Sequence, residues 1–177
     1  SKEFEQKNRY VDGAIGPGYG FQIRDASGQY FGGLKKTYPY IGQIDQLQRI
    51  VRLLKTEPHR RDIMWNLYSP GQVDKMRLPP CHFAAQFLVY EDTLDCVLYQ
   101  RSADFPLGVP ANIIFYSALT YMLAQQCGFR PGELVHHIGD GHCYINQLDG
   151  ISEYFNRPKH DCPKLILNKA KDIESYT

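Results

Sequence analysis

The 177-residue chain carries a net charge of +1, which excludes any overall demand for nucleic acid or an anionic membrane and makes any anion site local. Its length fits one domain spanning 1–177, and five cysteines, an odd number without Cys-x-x-Cys spacing, argue against a disulfide framework or zinc ribbon and favour a reducing compartment. No apolar run approaches a membrane span and the amino terminus is charged, so the reading is a soluble, cytoplasmic protein.

Taken in chain order, Gly13, Gly16, Gly18, Gly20, Gly28, Gly32 and Gly33 predict loop and short strand over 1–36. Ile41, Ile44, Leu47, Ile50, Val51 and Leu54 recur at three- and four-residue steps with Pro58 beyond, which predicts an amphipathic helix over 41–55. Residues 62–68 read as a strand closed by the turn Ser69-Pro70-Gly71. Two strands, 83–90 and 94–101, are joined by a hairpin turn at Glu91-Asp92-Thr93. A mostly apolar helix over 112–127, opened after Pro110 and closed by Gly128, is apolar nearly all round and is expected to be buried. A strand over 134–146 carries His136, His137, His142 and Tyr144, a short helix covers 148–156, and 164–168 form a last strand. Helices and strands mix without regular alternation, so the expected class is α+β.

The residues with chemistry cluster around Leu78-Pro79-Pro80-Cys81-His82. A thiol becomes a nucleophile where cations or hydrogen-bond donors stabilise its thiolate, and Arg101 is the candidate donor. Taken alone, Cys81 reads more readily as a small buried hydrophobe; its neighbours reverse that weighting. Cys96, Cys127, Cys143 and Cys162 lack such neighbours and go to core or surface. Arg60-Arg61 and Arg101-Ser102 offer guanidinium forks and a hydroxyl suited to phosphate, although Arg60-Arg61 reads equally well as a solvated pair. Asn112 offers a donor and an acceptor to a planar amide edge, or else caps a helix. His142 and Tyr144, two apart on a strand, could bind sugar hydroxyls or form a satisfied core pair. A zinc reading of Cys81, His82, His136, His137, His142 and Cys143 has no recognised spacing, and no metal is expected.

These segments, LPPCH (78–82), QF (86–87), YQRSAD (99–104), LGVPAN (107–112), MLAQQCG (122–128) and GDGHCYIN (139–146), in register, resemble the thymidylate synthase family. Weaker matches lie at GPGYG (16–20) and SPGQVDKM (69–76). The resemblance implies a mixed β-sheet flanked by helices, a homodimer, and methylation of dUMP at C5 with 5,10-methylenetetrahydrofolate, giving dTMP and dihydrofolate. By motif position, Cys81 would add to C6 of the pyrimidine, with Arg101 supporting its thiolate and Tyr19 in the network that removes the C5 proton. Asn112 would read the uracil edge, with Gln100 beside the nucleotide. Arg101 and Ser102 would hold the phosphate, joined by Arg60 and Arg61 from the partner subunit. His142 and Tyr144 would bind the ribose hydroxyl, and Asp104 and Gly108 would meet the folate.

Departures from the family pattern are expected to matter. The family's amino-terminal segment and carboxyl-terminal tail are not found in these residues, and Asp62 falls where the second phosphate arginine is expected. Tyr68-Ser69 stands for Trp-Asn, Ala111 for a phenylalanine and Gln147 for a histidine, and 21–40 reads as a surface insertion. Two further readings follow: a pyrimidine nucleotide hydroxymethylase of the same fold, and a catalytically silent nucleotide-binding relative.

Overall fold

Asp45 starts the first long helix. In the computed structural model, which describes residues 2–8, 11, 13–30 and 43–176, its carboxylate accepts the Gln48 N–H at 2.9 Å and the Arg24 Nε–H at 2.8 Å. That cap satisfies one of the orphan amides of the first turn, so the helix begins at Gln46 rather than at 41. The chain divides into two compact units, Ser1–Gln86 and Phe87–Thr177.

In the first unit, α1 (Lys2–Asn8), α2 (Tyr19–Asp25) and α3 (Gln46–Thr56) precede β1 (Met64–Asn66) and the opening of β2 (His82–Tyr90). α3 buries Ile50, Leu53 and Leu54, an i, i+3, i+4 face, among core residues that include Ile63, Trp65, Leu67 and Ala85. Each such side chain contributes roughly 1.5–3 kcal/mol by leaving water. β1 pairs antiparallel with β2 through Trp65 opposite Ala85. The loop and short strand expected over 1–36 are corrected: α1 and α2 are helical. Glycine-rich flanks hid α2, whose backbone is held by side-chain amides described below rather than by propensity. Residues 31–40 of the expected insertion, and 41–42 of the expected helix, lie outside the described residues.

In the second unit, β2 neighbours β3 (Thr93–Asp104), and β3 pairs parallel with β4 (Arg130–His142) across α4 (Gly108–Cys127), with α5 (Leu148–Asn156) after it. Antiparallel and parallel pairings together make a mixed sheet with helices against it, the α+β class. Leu94, Cys96, Leu98 and Gln100 face inward along β3 at every second position. α4 packs on β3 and β4 through Tyr116, Leu119, Thr120, Leu123 and Ala124. Its other face, including Ile114 at 69% exposure, is open, which corrects the expectation of burial all round.

Three further boundaries are corrected. The strand expected over 134–146 runs Arg130–His142, because the ladder with β3 starts at Thr93 opposite Arg130 and ends at Asp104 opposite His142. The strand over 62–68 shrinks to Met64–Asn66, and 164–168 form no strand, their apolar Leu165 and Ile166 lying exposed outside any ladder. Gly128, by contrast, closes α4 as expected: at φ 81° its N–H donates to the Ala124 carbonyl. No atom lies within 4 Å of a Cβ built there, so the whole cost of a side chain is backbone strain. Gly128→Ala should lose about 1 kcal/mol of unfolding free energy in urea and Gly128→Asn less; an alanine variant as stable as the parent would refute the strained cap.

Candidate active site

Cys81 stands immediately before β2, and its backbone N–H donates to the Tyr19 hydroxyl at 2.7 Å. The Tyr19 ring stacks on His82, centroids 4.3 Å apart. Tyr19 is the first residue of α2, and that short helix is fixed by carboxamides. Gln22, 2% exposed, donates from Nε2 to the Pro17 carbonyl at 2.9 Å and to Gln72 Oε1 at 2.7 Å. Gln46 donates to the Gln22 carbonyl at 2.7 Å. The phenol therefore has a set position at the thiol-bearing residue.

All five cysteines are free thiols, and their surroundings separate them. Burial pushes the Cys96 thiol up to about 12, which removes it as a nucleophile at neutral pH. Cys143 and Cys162 are exposed. Cys81 is half-buried, and its own amide donates to the Tyr19 hydroxyl.

Also in the first unit, the Arg60 guanidinium donates to both Asp62 oxygens at 2.7 and 2.8 Å and to Glu57 at 3.1 Å. Arg49 adds a contact to Asp62 at 2.9 Å. The arginines hold the Asp62 carboxyl far below the usual carboxylate range. Arg61 is exposed.

The second unit carries the other candidates. Gln100, 3% exposed, donates from Nε2 to the Ser102 carbonyl at 2.9 Å and to Asn112 Oδ1 at 3.1 Å. Its Oε1 lies 2.9 Å from His136 Nε2. The Ser102 carbonyl can only accept, so it fixes the Gln100 amide with nitrogen toward Ser102 and Asn112. His136 must then donate from Nε2, and Asn112 must turn its oxygen to Gln100. Burial, then the neighbouring His137, lower the His136 pKa, which keeps the ring neutral. Asn112 is the fifth residue of α4, so the helix-cap reading is set aside.

Arg101 is exposed and Ser102 half-buried, as alternation along β3 dictates. Asp104, near the start of α4, meets Gln147 Nε2 at 3.2 Å from each oxygen. A Cβ at Gly108 would sit 3.5 Å from the Asp104 Cβ and 3.8 Å from Asn112 Oδ1, ordinary van der Waals contact, so Gly108 lies between the Asp104 and Asn112 side chains. His142 ends β4 and Tyr144 lies just past it; their rings meet edge to face at 5.3 Å, and His142 Nδ1 lies 3.4 Å from Asp140. His136 and Gln147 were missed as site residues, for their roles come from contacts 36 and 43 residues away that no local pattern signals. Among the described residues no group of three His, Cys, Asp or Glu could hold a metal ion, and no helix is long and apolar enough to cross a membrane.

The thymidylate synthase family model matches residues 2–177. The chain is 41% identical to thymidylate synthase of Homo sapiens over 167 residues, 93% of this chain and 52% of that protein. It is 43% identical to thymidylate synthase of Human herpesvirus 8 type P (isolate GK18), over 94% of this chain and 49% of that protein. It is also 43% identical to a bifunctional dihydrofolate reductase-thymidylate synthase of Leishmania major, over 96% of this chain and 32% of that protein. The chain belongs to the thymidylate synthase family. It spans about half the length, or less, of these three relatives.

Burial is the largest influence on Tyr19 and raises its phenol above the ordinary value of 10.0; the Cys81 amide opposes the rise and the Cys81 thiol adds to it. A raised folded value means the protonated phenol stabilises the fold below the unfolded value, and that contribution is lost as pH rises through the folded one. Thermal midpoints between about pH 9 and 11 should fall more steeply for the parent than for Tyr19→Phe; parallel curves would refute the assignment.

Proposed function

We propose that residues 1–177 serve a single thymidylate synthase-like domain that methylates dUMP at C5 with 5,10-methylenetetrahydrofolate, through a covalent bond between Cys81 and C6. The observation that supports this most is the hydrogen bond from the Cys81 amide to the Tyr19 hydroxyl, a proton-carrying group beside the residue that bears the thiol. Membership of the family supports the substrate pair.

In this reading the Cys81 thiolate adds to C6, and the displaced electron pair moves through C5 toward the O4 carbonyl. The Asn112 NH2 group donates to that oxygen as charge develops, and the remaining lone pair of Asn112 Oδ1 accepts the N3–H. When bound, the folate supplies the one-carbon unit and the hydride that convert C5–H to C5–CH3. Asp104, with Gly108 beside it, holds the folate through acceptor oxygens, which fit an N–H-bearing heterocycle. Tyr19 relays the C5 proton, and expulsion of the Cys81 sulfur releases dTMP. Arg101 supports the Cys81 thiolate and, with Ser102, holds the phosphate; Gln100 holds the base reader; His142 and Tyr144 bind the ribose hydroxyl. Arg60 and Arg61 reach the phosphate of the partner subunit in a homodimer, Arg60 exchanging its Asp62 contact for the phosphate. The protein acts in the cytoplasm.

The amide polarity set at Ser102 favours uracil over the cytosine of a hydroxymethylase, because cytosine presents a donor at C4 and an acceptor at N3, the same pattern that Asn112 offers, so donor would face donor and acceptor face acceptor. Mass spectrometry after incubation with 5-fluoro-dUMP and methylenetetrahydrofolate should show a covalent ternary adduct at Cys81 that Cys81→Ala abolishes; absence of the adduct in the unaltered protein sinks the reading. Asn112→Asp should weaken dUMP binding at least about tenfold and turn preference toward dCMP, since an acceptor-only carboxylate meets the cytosine amine. Equal affinity of that variant for both nucleotides would remove Asn112 as the base reader.

A further inference from the structure

Gln147 lies in the short turn that follows β4, and its side chain bridges Tyr144 and Asp104. Its Oε1 accepts the Tyr144 N–H at 2.7 Å while its Nε2 donates to Asp104 Oδ1 and Oδ2, each at 3.2 Å. A backbone N–H can only donate, so the carboxamide oxygen must face Tyr144 and the NH2 must face the carboxylate. The main chain decides the amide's orientation, and with it the donor that Asp104 meets. That donor is neutral and leaves the carboxylate its charge.

A carboxylate has about four acceptor positions, of which one NH2 group takes at most two. Rotation of a carboxylate about its last torsion is otherwise broad, and a contact to both oxygens restricts it. The lone pairs that remain on the two oxygens are acceptors for N–H groups on the edge of a planar heterocycle. The backbone adds a second tie here, because the Phe105 N–H donates to the His142 carbonyl at 2.9 Å. The Tyr144 turn is thus attached to the end of β3 by main chain and by the Gln147 side chain, so a ligand that orders Tyr144 also orders Asp104.

We propose that Gln147 is a positioning residue that couples nucleotide binding at Tyr144 to the acceptor pair of Asp104, and so sets the affinity for the cosubstrate heterocycle. This rests on the roles given above to Tyr144 and Asp104. Fluorescence titration of dihydrofolate, without and with saturating dUMP, tests it on the full chain, Gln147→Leu, Gln147→Glu and Gln147→His. In the parent, dUMP tightens dihydrofolate binding; Gln147→Leu cuts that enhancement about tenfold while dUMP affinity changes less than about threefold. Gln147→Glu keeps the shape but replaces donor by acceptor, and gives the same loss should the leucine variant fail to fold. A neutral histidine can donate from one nitrogen and accept from the other, so Gln147→His regains most of the coupling. Undiminished coupling in the leucine or glutamate variant, with the parent binding both ligands, overturns the role of Gln147 and leaves the enzyme reading standing. A parent that binds neither ligand overturns both.

Discussion

The Ser102 carbonyl accepts one hydrogen of the Gln100 NH2 group, and the polarity of the Gln100, Asn112 and His136 cluster follows from that bond. Flipping Gln100 would set oxygen against oxygen at Ser102 and at Asn112, and would leave buried groups unpaired at roughly 1–3 kcal/mol each. The same device recurs wherever a carboxamide matters. The Pro17 carbonyl orients Gln22, the Gln22 carbonyl orients Gln46, and the Tyr144 amide orients Gln147. Strand and helix geometry thereby reach function through side chains that have no charge of their own.

Thiol chemistry in the chain divides along the same line between burial and polar contact. Cys96 points into the apolar side of β3, where no charge is tolerated, and its thiol is held protonated. Cys81 stands at a strand mouth, half-buried, with the Tyr19 hydroxyl on its amide and the Tyr19 ring on His82. A nucleophile needs that intermediate setting: enough exposure to meet substrate, and enough polar company to stabilise a thiolate.

The elements legible in the amino-acid pattern are those whose apolar faces are continuous. α3, the β2–β3 hairpin, α4 and its glycine cap all announce themselves by period or by turn chemistry. α2 does not, because Gly18 and Gly20 break the pattern and the helix depends on glutamine bonds to residues as far off as Gln72. The ends of β4 were misplaced because a strand stops where its ladder stops, and the ladder is set by β3. Candidate site residues in linked motifs stand out by resemblance, whereas His136 and Gln147 make contacts that only the folded chain creates. Gln147 was visible as a departure from the family's histidine, yet its consequence for Asp104 needed the turn geometry.

Asp62 shows how a departure in sequence changes meaning once its surroundings are known. Read in isolation, a carboxylate at a phosphate-arginine position repels the ligand. In the fold it is matched by Arg60 on both oxygens and by Arg49, so its charge is already compensated. Arg60 and Asp62 are solvent-exposed and Arg49 is half-buried; between exposed groups ion pairs are weak and readily exchanged. A phosphate carries more charge than a carboxylate and offers three acceptor oxygens, so it competes well for an exposed guanidinium. In the function proposed, Arg49 keeps Asp62 neutralised while Arg60 turns to phosphate, and the aspartate is then a parking place for the arginine rather than a barrier to the anion.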